Sequence, residues 1–219
     1  MKMQLLILFV FLHGLCLGQD PWKNIYSQNA WAARDKWQKA DALIRLLKIS
    51  ADSQVADIGC HEGYMTFKLA KVVGANGLVY AVDLDAGKLD KVKKHADELK
   101  IVQIKTIKGD DDNPKLPDNV LDAVIILDTY HEMKDHDKIL QHIRTSLKPG
   151  GHLLICDPIA EERRKDSRAD QEKKHELAME FAIADLKKAG FRIHYQKDPY
   201  VDRVKEKGDK MWVIVAVRD

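Results

Sequence analysis

Gln54-Val-Ala-Asp-Ile-Gly-Cys-His-Glu-Gly-Tyr64 is the stretch around which the rest of the chain is arranged. Val55, Ala56 and Ile58 are apolar and run straight into Gly59, and after Gly63 the apolar residues Met65, Phe67, Leu69 and Ala70 recur at near-helical spacing. That order predicts a buried strand, a tight glycine turn and the first turns of a helix over Gly63–Val73. Such a unit offers backbone N–H groups and the positive end of a helix to a ligand, and forms the floor of nucleotide pockets in doubly wound sheets. His61 stands where the commonest form of this turn has a glycine. An ordinary backbone there, with the ring turned away from the ligand, would leave binding intact.

Outward from this stretch, the chain reads as further βα units. Leu78–Val82 is a strand ending in Asp83, an acid placed to accept both hydroxyls of a ribose. Asp85 reads as the N-cap of a helix over Ala86–Leu99. Val102–Ile107 alternates like a strand and runs into Lys108-Gly-Asp-Asp-Asp112. Those three carboxylates would suit a metal or a solvated loop. We prefer Asp110 accepting an adenine amine beside the Asp111 N–H, because this loop lies at the same sheet edge as Gly59 and Asp83. Leu116–Leu127 reads as a loop followed by a fully apolar strand, as a central parallel strand must be. It exits into Asp128-Thr-Tyr-His-Glu132, where ionisable groups cluster. Lys138–Leu147 reads as an amphipathic helix stopped by Lys148-Pro-Gly-Gly151, followed by a strand over His152–Cys156. Glu161–Lys174 is a charged run without an apolar face, the pattern of a mobile surface segment. His175–Ala189 reads as a helix capped by Gly190. Arg192–Gln196 and Met211–Val217 close the chain as strands joined by a polar hairpin loop.

Before the opening stretch, Arg34–Lys48 has Trp37, Leu43, Leu46 and Leu47 at helical spacing. Asp20–Ala33 carries Trp22, Tyr26 and Trp31, aromatics that either cover core or form a lid. The first residues give a short positive region, the apolar run Leu5–Leu12 and small residues at Cys16 and Gly18. This is the pattern of a secretory signal peptide, residues 1–18, cleaved after Gly18. The run is shorter than the roughly 20 residues a bilayer span needs, so no stable membrane span is expected. A lipid-anchored form would use Cys16, but Leu15 precedes it where a small residue belongs. Residues 19–48 then form a cap segment and first helix, and 49–219 one nucleotide-binding domain. The expected location is periplasmic or extracellular.

Composition excludes some alternatives. With 36 basic against 34 acidic side chains in 219 residues, the net charge of +2 is small. No basic stripe with interleaved aromatics appears, so nucleic acid is not an expected partner. Nothing sets an oligomeric state. Cys60 and Cys156 end strands separated by a third, and neighbouring strands lie about 4.8 Å apart, so no disulfide is expected. A zinc-hydrolase helix needs its histidines at i and i+4; His131 and His136 are one residue too far apart, and no metal is expected.

Four pieces in order, Val55-Ala-Asp-Ile-Gly-Cys-His-Glu-Gly63, Ala81-Val-Asp-Leu84, Gly109-Asp-Asp with Leu116-Pro117, and Leu147-Lys-Pro-Gly-Gly151, resemble a class I S-adenosylmethionine-dependent methyltransferase. The resemblance runs from about Arg34 to the C-terminus. Arg34-Asp-Lys-Trp37-Gln38, Asp128-Thr-Tyr-His-Glu132 and His175 further resemble an exported bacterial group acting on small molecules. The resemblance implies an α/β Rossmann-like fold: a seven-stranded sheet of five parallel strands and a C-terminal antiparallel insertion, with helices on both faces. It implies S-adenosyl-L-methionine as cofactor, held by Asp57, Gly59, Cys60, Gly63, Asp83, Leu84, Asp110, Asp111 and Asp128. It further implies a small-molecule methyl acceptor. In-line transfer from a sulfonium asks for orientation and a dry pocket, with a base only where the acceptor must lose a proton. His131, Glu132 and His175 are the candidates for that work. The competing reading is a non-catalytic nucleotide-binding module on the same scaffold, suggested by His61. A nicotinamide oxidoreductase would need the G-x-G-x-x-G spacing, which Gly59 and Gly63 do not provide.

Overall fold

The computed structural model describes residues 31–219; the signal segment, Trp22 and Tyr26 lie outside the described residues. Seven strands form one sheet in the order β3-β2-β1-β4-β5-β7-β6. They are β1 (Gln54–Ile58), β2 (Leu78–Asp83), β3 (Ile104–Lys108), β4 (Leu121–Leu127), β5 (Leu147–Ile159), β6 (Arg192–Arg203) and β7 (Asp209–Val217). β1 to β5 pair in parallel, and β7 pairs antiparallel with both β5 and β6. The expected Rossmann-like sheet is the observed one. The chain reverses its direction of travel across the sheet between β1 and β4, which makes the carboxyl ends of these two strands the switch point where such folds hold ligands.

Strand periodicity of two splits the core between the faces. Val55, Ala123 and Ile125 pack on one side with α2 (Ala40–Leu46), α3 (Tyr64–Val73) and α4 (Ala86–Leu99). Ala56, Ile58, Val124 and Ile126 pack on the other with α5 (His136–Ser146) and α7 (Met179–Lys188). Asp85 caps α4 as expected, accepting from Gly87 N at 2.8 Å and Lys88 N at 3.3 Å. Cys60 and Cys156 are free and buried, with β4 lying between their strands. Among the described residues no helix is long and apolar enough to cross a membrane.

Three expectations about element bounds are corrected, and the open choice between core and lid is decided for Trp31. The single helix over Arg34–Lys48 is two, α1 (Trp31–Gln38) and α2, because Lys39 between them is left-handed with φ 54. Trp31 belongs to the core, buried against Phe67 and His95. β5 starts at Leu147 rather than His152: the Pro-Gly-Gly segment is drawn into the sheet by Gly150 N on Arg218 O at 2.7 Å and Arg218 N on Gly151 O at 3.1 Å. It also continues through Asp157 and Pro158, which pair with Trp212 and Met211. β6 likewise runs on to Arg203 across a bulge where a loop was expected, followed by the short α8 (Val204–Lys207).

The charged run Glu161–Lys174 is pinned as a strap. It holds a 3-10 turn and α6 (Arg168–Glu172). Arg163 pairs with Glu176, Arg164 with Asp198, and Arg168 with Asp185. Buried Gln171 donates to the carbonyls of Arg163, Arg164 and Asp166. The partners are long-range side chains, which local charge patterning does not reveal.

Candidate functional site

The turn after β1 is stapled to the next strand. Gly59 N and Cys60 N both donate to Val82 O, at 2.9 and 3.0 Å. Gly59 has φ +73, and a Cβ there would stand 2.3 Å from Thr129 Cγ2; only glycine lets the β1 and β4 loops meet. His61 is also left-handed, with φ 51. The expectation of an ordinary backbone is therefore wrong. A left-handed side chain costs about 1–2 kcal/mol, while a hydrogen bond to a charged group contributes about 1.5–3 kcal/mol. His61 N–H makes such a bond, to Asp83 Oδ2 at 2.8 Å, and that is large enough to hold the turn. Burial and nearby Lys88 push the His61 imidazole below its ordinary pKa.

The β1, β2 and β3 ends bring acids to one cavity of about 650 Å³. Asp57, Gly59, Cys60, Asp83, Leu84, Asp110, Asp111 and Asp128 all line it. Gly63 does not; with φ 94 it precedes α3 and shapes the turn. Asp57 is buried and accepts from Thr66 Oγ1 at 2.6 Å. Burial raises its pKa to about 6, against the pull of Thr66 and Arg34. Asp83 accepts from His61 N and, at 3.0 Å, from Asp85 N. A carboxylate has about four lone-pair sites, so this leaves acceptor capacity facing the cavity. Leu84 is 52% exposed, an apolar wall at the rim. Asp110 pairs with Lys115 at 2.8 Å.

Two arginines complete the site that were absent from the expected set. Arg34 lines the cavity with its guanidinium 4.3 Å from the Tyr64 ring centroid and its Nε on Gln38 Oε1 at 3.0 Å. Burial lowers its pKa, and Asp128 works against that. Arg203, buried, donates from Nη1 to Asp128 Oδ2 at 2.6 Å and from its other nitrogens to Asp209. Burial alone would raise the Asp128 pKa, but Arg203 outweighs it and holds the carboxyl below its usual range. Arg34 stood in a noticed motif and was legible. Arg203 lay in an apparent hairpin loop, with no local signal.

The three candidates for a base, His131, Glu132 and His175, are brought together in space. Tyr130–Glu132 form a 3-10 turn after β4. His131 is buried, and both its backbone N and its Nδ1 lie 3.0 Å from Asp157 Oδ2. Burial opposes charge on this imidazole, yet the Asp157 bond lifts its pKa above the usual value. Burial also raises Asp157, which His131 pulls only part of the way back. His131 Nε2 lies 3.4 Å from Glu132 Oε1, and His175 Nδ1 contacts that same oxygen. Only Glu132 of the three lines the cavity. His175 was expected inside a helix; it precedes α7 in a left-handed conformation, φ 59.

This cavity has a donor and acceptor set suited to a nucleotide with a cationic end. Its wall carries the carboxylates of Asp57, Asp83, Asp85, Asp110, Asp111 and Asp128, the apolar side chains of Ile58, Val82 and Leu84, and one arginine, Arg34. A family model described as a methyltransferase domain matches residues 49–209. The chain is similar to demethylmenaquinone methyltransferase of Bacillus mycoides (strain KBAB4), 27% identical over 121 residues, 55% of this chain and 50% of the other. It thus spans about half the length of the curated relatives it matches. A SAM-dependent methyltransferase from Aquifex aeolicus superposes with a TM-score of 0.69 at 23% identity, covering 82% of this chain and 89% of that one. Geranyl diphosphate C-methyltransferase from Streptomyces coelicolor A3(2), solved with Mg2+, geranyl diphosphate and S-adenosyl-L-homocysteine, superposes with a TM-score of 0.69 at 14% identity, covering 83% and 79%. At these identities the two structures show a shared fold.

Proposed function

Because the chain belongs to the methyltransferase-domain family and has the class I S-adenosylmethionine-dependent fold, we propose that it transfers a methyl group from S-adenosylmethionine to a small-molecule acceptor. The observation that carries this reading is the convergence of the glycine turn with Asp57, Asp83 and Asp128 on one cavity at the sheet's switch point. The cofactor supplies an activated methyl on a sulfonium. The chain's own residues bind, orient and exclude water. Asp83 would take the ribose hydroxyls, and Asp110 and Asp111 the adenine edge, with Leu84 against the base. Arg34 would face the carboxylate of the amino-acid end, and Asp57 and Asp128 its ammonium. The carboxylates also favour a positive sulfonium electrostatically. The acceptor would enter from the side bounded by Glu132, Met133 and Lys134, where a proton lost by it would also leave.

Export to the periplasm or beyond is part of this proposal, supported by the run Leu5–Leu12 and the small residues after it. A relative acting on demethylmenaquinone supports a small acceptor without naming it. The test is thermal unfolding with S-adenosylhomocysteine. A ligand at a hundred times its dissociation constant adds about 2.7 kcal/mol of stability, and Asp83→Ala should abolish the shift. No shift in the natural chain would sink the reading. A shift that survives in Asp83→Ala would sink the ribose assignment.

A further inference from the structure

Beside the cavity, a cluster of nitrogen and oxygen donors sits in an arrangement that the reading above does not use. His131 Nε2, Glu132 Oε1 and His175 Nδ1 all lie within 4.8 Å of one another. We propose that these three atoms form a binding site for a divalent transition metal of the zinc class, at the rim of the cavity.

The tautomer of His131 is the first argument. Asp157 is fully buried, and its Oδ2 receives both the backbone N–H and Nδ1 of His131. Its other oxygen is buried without a hydrogen-bond partner. A neutral imidazole whose Nδ1–H is given to a buried carboxylate presents Nε2 as a lone pair, which a metal ion or a proton can take, and metal-ligating histidines are held in this way. That lone pair faces Glu132 Oε1 at 3.4 Å. Two acceptors facing each other need a cation or a proton between them, and His175 Nδ1 meets the same oxygen.

Distances are the second argument. Zinc bonds of about 2.0–2.2 Å in tetrahedral array put ligand atoms about 3.3–3.6 Å apart. The His131–Glu132 separation of 3.4 Å already matches. Glu132 and His175 are 53% and 73% exposed, so this pair is free to spread around an ion while buried His131 stays in place. Two imidazoles and one carboxylate favour zinc, cobalt or iron(II) over magnesium or calcium, which take oxygen.

A second group, His136, Asp137 and Asp185, sets one imidazole and two carboxylates within the same span and serves as an internal contrast. There Asp185 already receives Tyr130 Oη at 2.9 Å and Arg168 Nη1 at 2.7 Å. An arginine fills the place a cation would take. Among the described residues no Lys or Arg is paired with Glu132, whose ion-pair partners there are the two histidines.

Three protein ligands leave a coordination position open, as in catalytic rather than structural zinc sites. Since Glu132 lines the cavity, an acceptor hydroxyl or thiol bound there would release its proton to solvent more readily. That role rests on the methyltransferase reading; the metal site itself does not.

The test uses the full, untagged chain stripped of metal. Zinc binding is followed by titration calorimetry and cobalt binding by the visible absorption of a four-coordinate ion. One ion per chain is expected, with magnesium binding far more weakly. His175→Ala and Glu132→Gln alter exposed side chains, so the fold should persist, as circular dichroism would verify. Each should weaken zinc by more than the roughly 10–100-fold that loss of an outer-shell partner costs, while His136→Ala leaves it unchanged. Absence of saturable zinc binding, or full affinity retained in His175→Ala, would overturn the site. S-adenosylhomocysteine binding measured on the same sample separates the two proposals, since either ligand can fail alone.

Discussion

Asp83 and Asp128 stand on opposite sides of one cavity and are held by different means. Asp83 is fixed by backbone N–H groups of His61 and Asp85, one 22 residues away and the other two. Asp128 is fixed by a buried guanidinium 75 residues away. The Asp83 side is thus made by the turns of consecutive βα units. The Asp128 side leans on Arg203, a side chain from the antiparallel end of the sheet. Backbone-held acids tolerate change around them, because every residue type but proline carries an N–H. Side-chain-held acids depend on one partner each.

The largest test of this difference is Arg203→Met. It leaves Asp128 and Asp209 without their shared partner in a buried place, and losing one member of a buried pair costs about 3–5 kcal/mol. Urea unfolding measures it. A loss below ~1 kcal/mol would mean that Asp128 is no more dependent on its partner than a surface pair.

Asp57→Asn acts in the other direction. The folded-state pKa of Asp57 is raised, so the folded chain binds more protons than the unfolded one between the ordinary value 3.8 and about 6. Stability from this group therefore falls as pH rises through that window. Asn removes the penalty: above about pH 6 the variant should be more stable, and below pH 3.8 the two should match. With 1.36 kcal/mol per pKa unit, the gain is on the order of 2–3 kcal/mol. Equal stability at both pH values would show that Asp57 is not strained by burial. Affinity for S-adenosylhomocysteine should fall in the same variant, separating stability from function at this acid.

His61→Gly is the smallest effect. Relief of the left-handed side chain, less the extra backbone entropy of glycine, should stabilise by roughly 0.5–1 kcal/mol. The bond from residue 61 N–H to Asp83 survives, so cofactor affinity should change little. Thermal unfolding and a binding titration read the two quantities, and a marked fall in affinity would show that the ring itself contributes.

Legibility followed the same division. The glycine turn, the Asp85 cap and the acids at the ends of β1 and β2 were readable because strand period, turn residues and caps act over a few positions. His61 was misread because its left-handed backbone depends on Asp83, a partner in the next strand. The extension of β5 through Pro149 and Pro158 depends on Arg218, Trp212 and Met211. Arg203 and the strap residues Arg163, Arg164 and Arg168 read as solvated charge, since nothing nearby in sequence names Asp128, Glu176, Asp198 or Asp185 as their partners.

By itself, the sequence determined the order of βα units, the two-faced burial of the central strands and the placing of acids at the ends of β1 and β2, because these follow from local periodicity and backbone geometry. Only the tertiary structure decided how Asp128 is neutralised and how the turn at His61 is held. It alone also showed that His131, Glu132 and His175 share one small volume. The physical reason is that charge pairing and ligand geometry are set by distance in space, and here the pairing groups lie on strands and loops far apart along the chain.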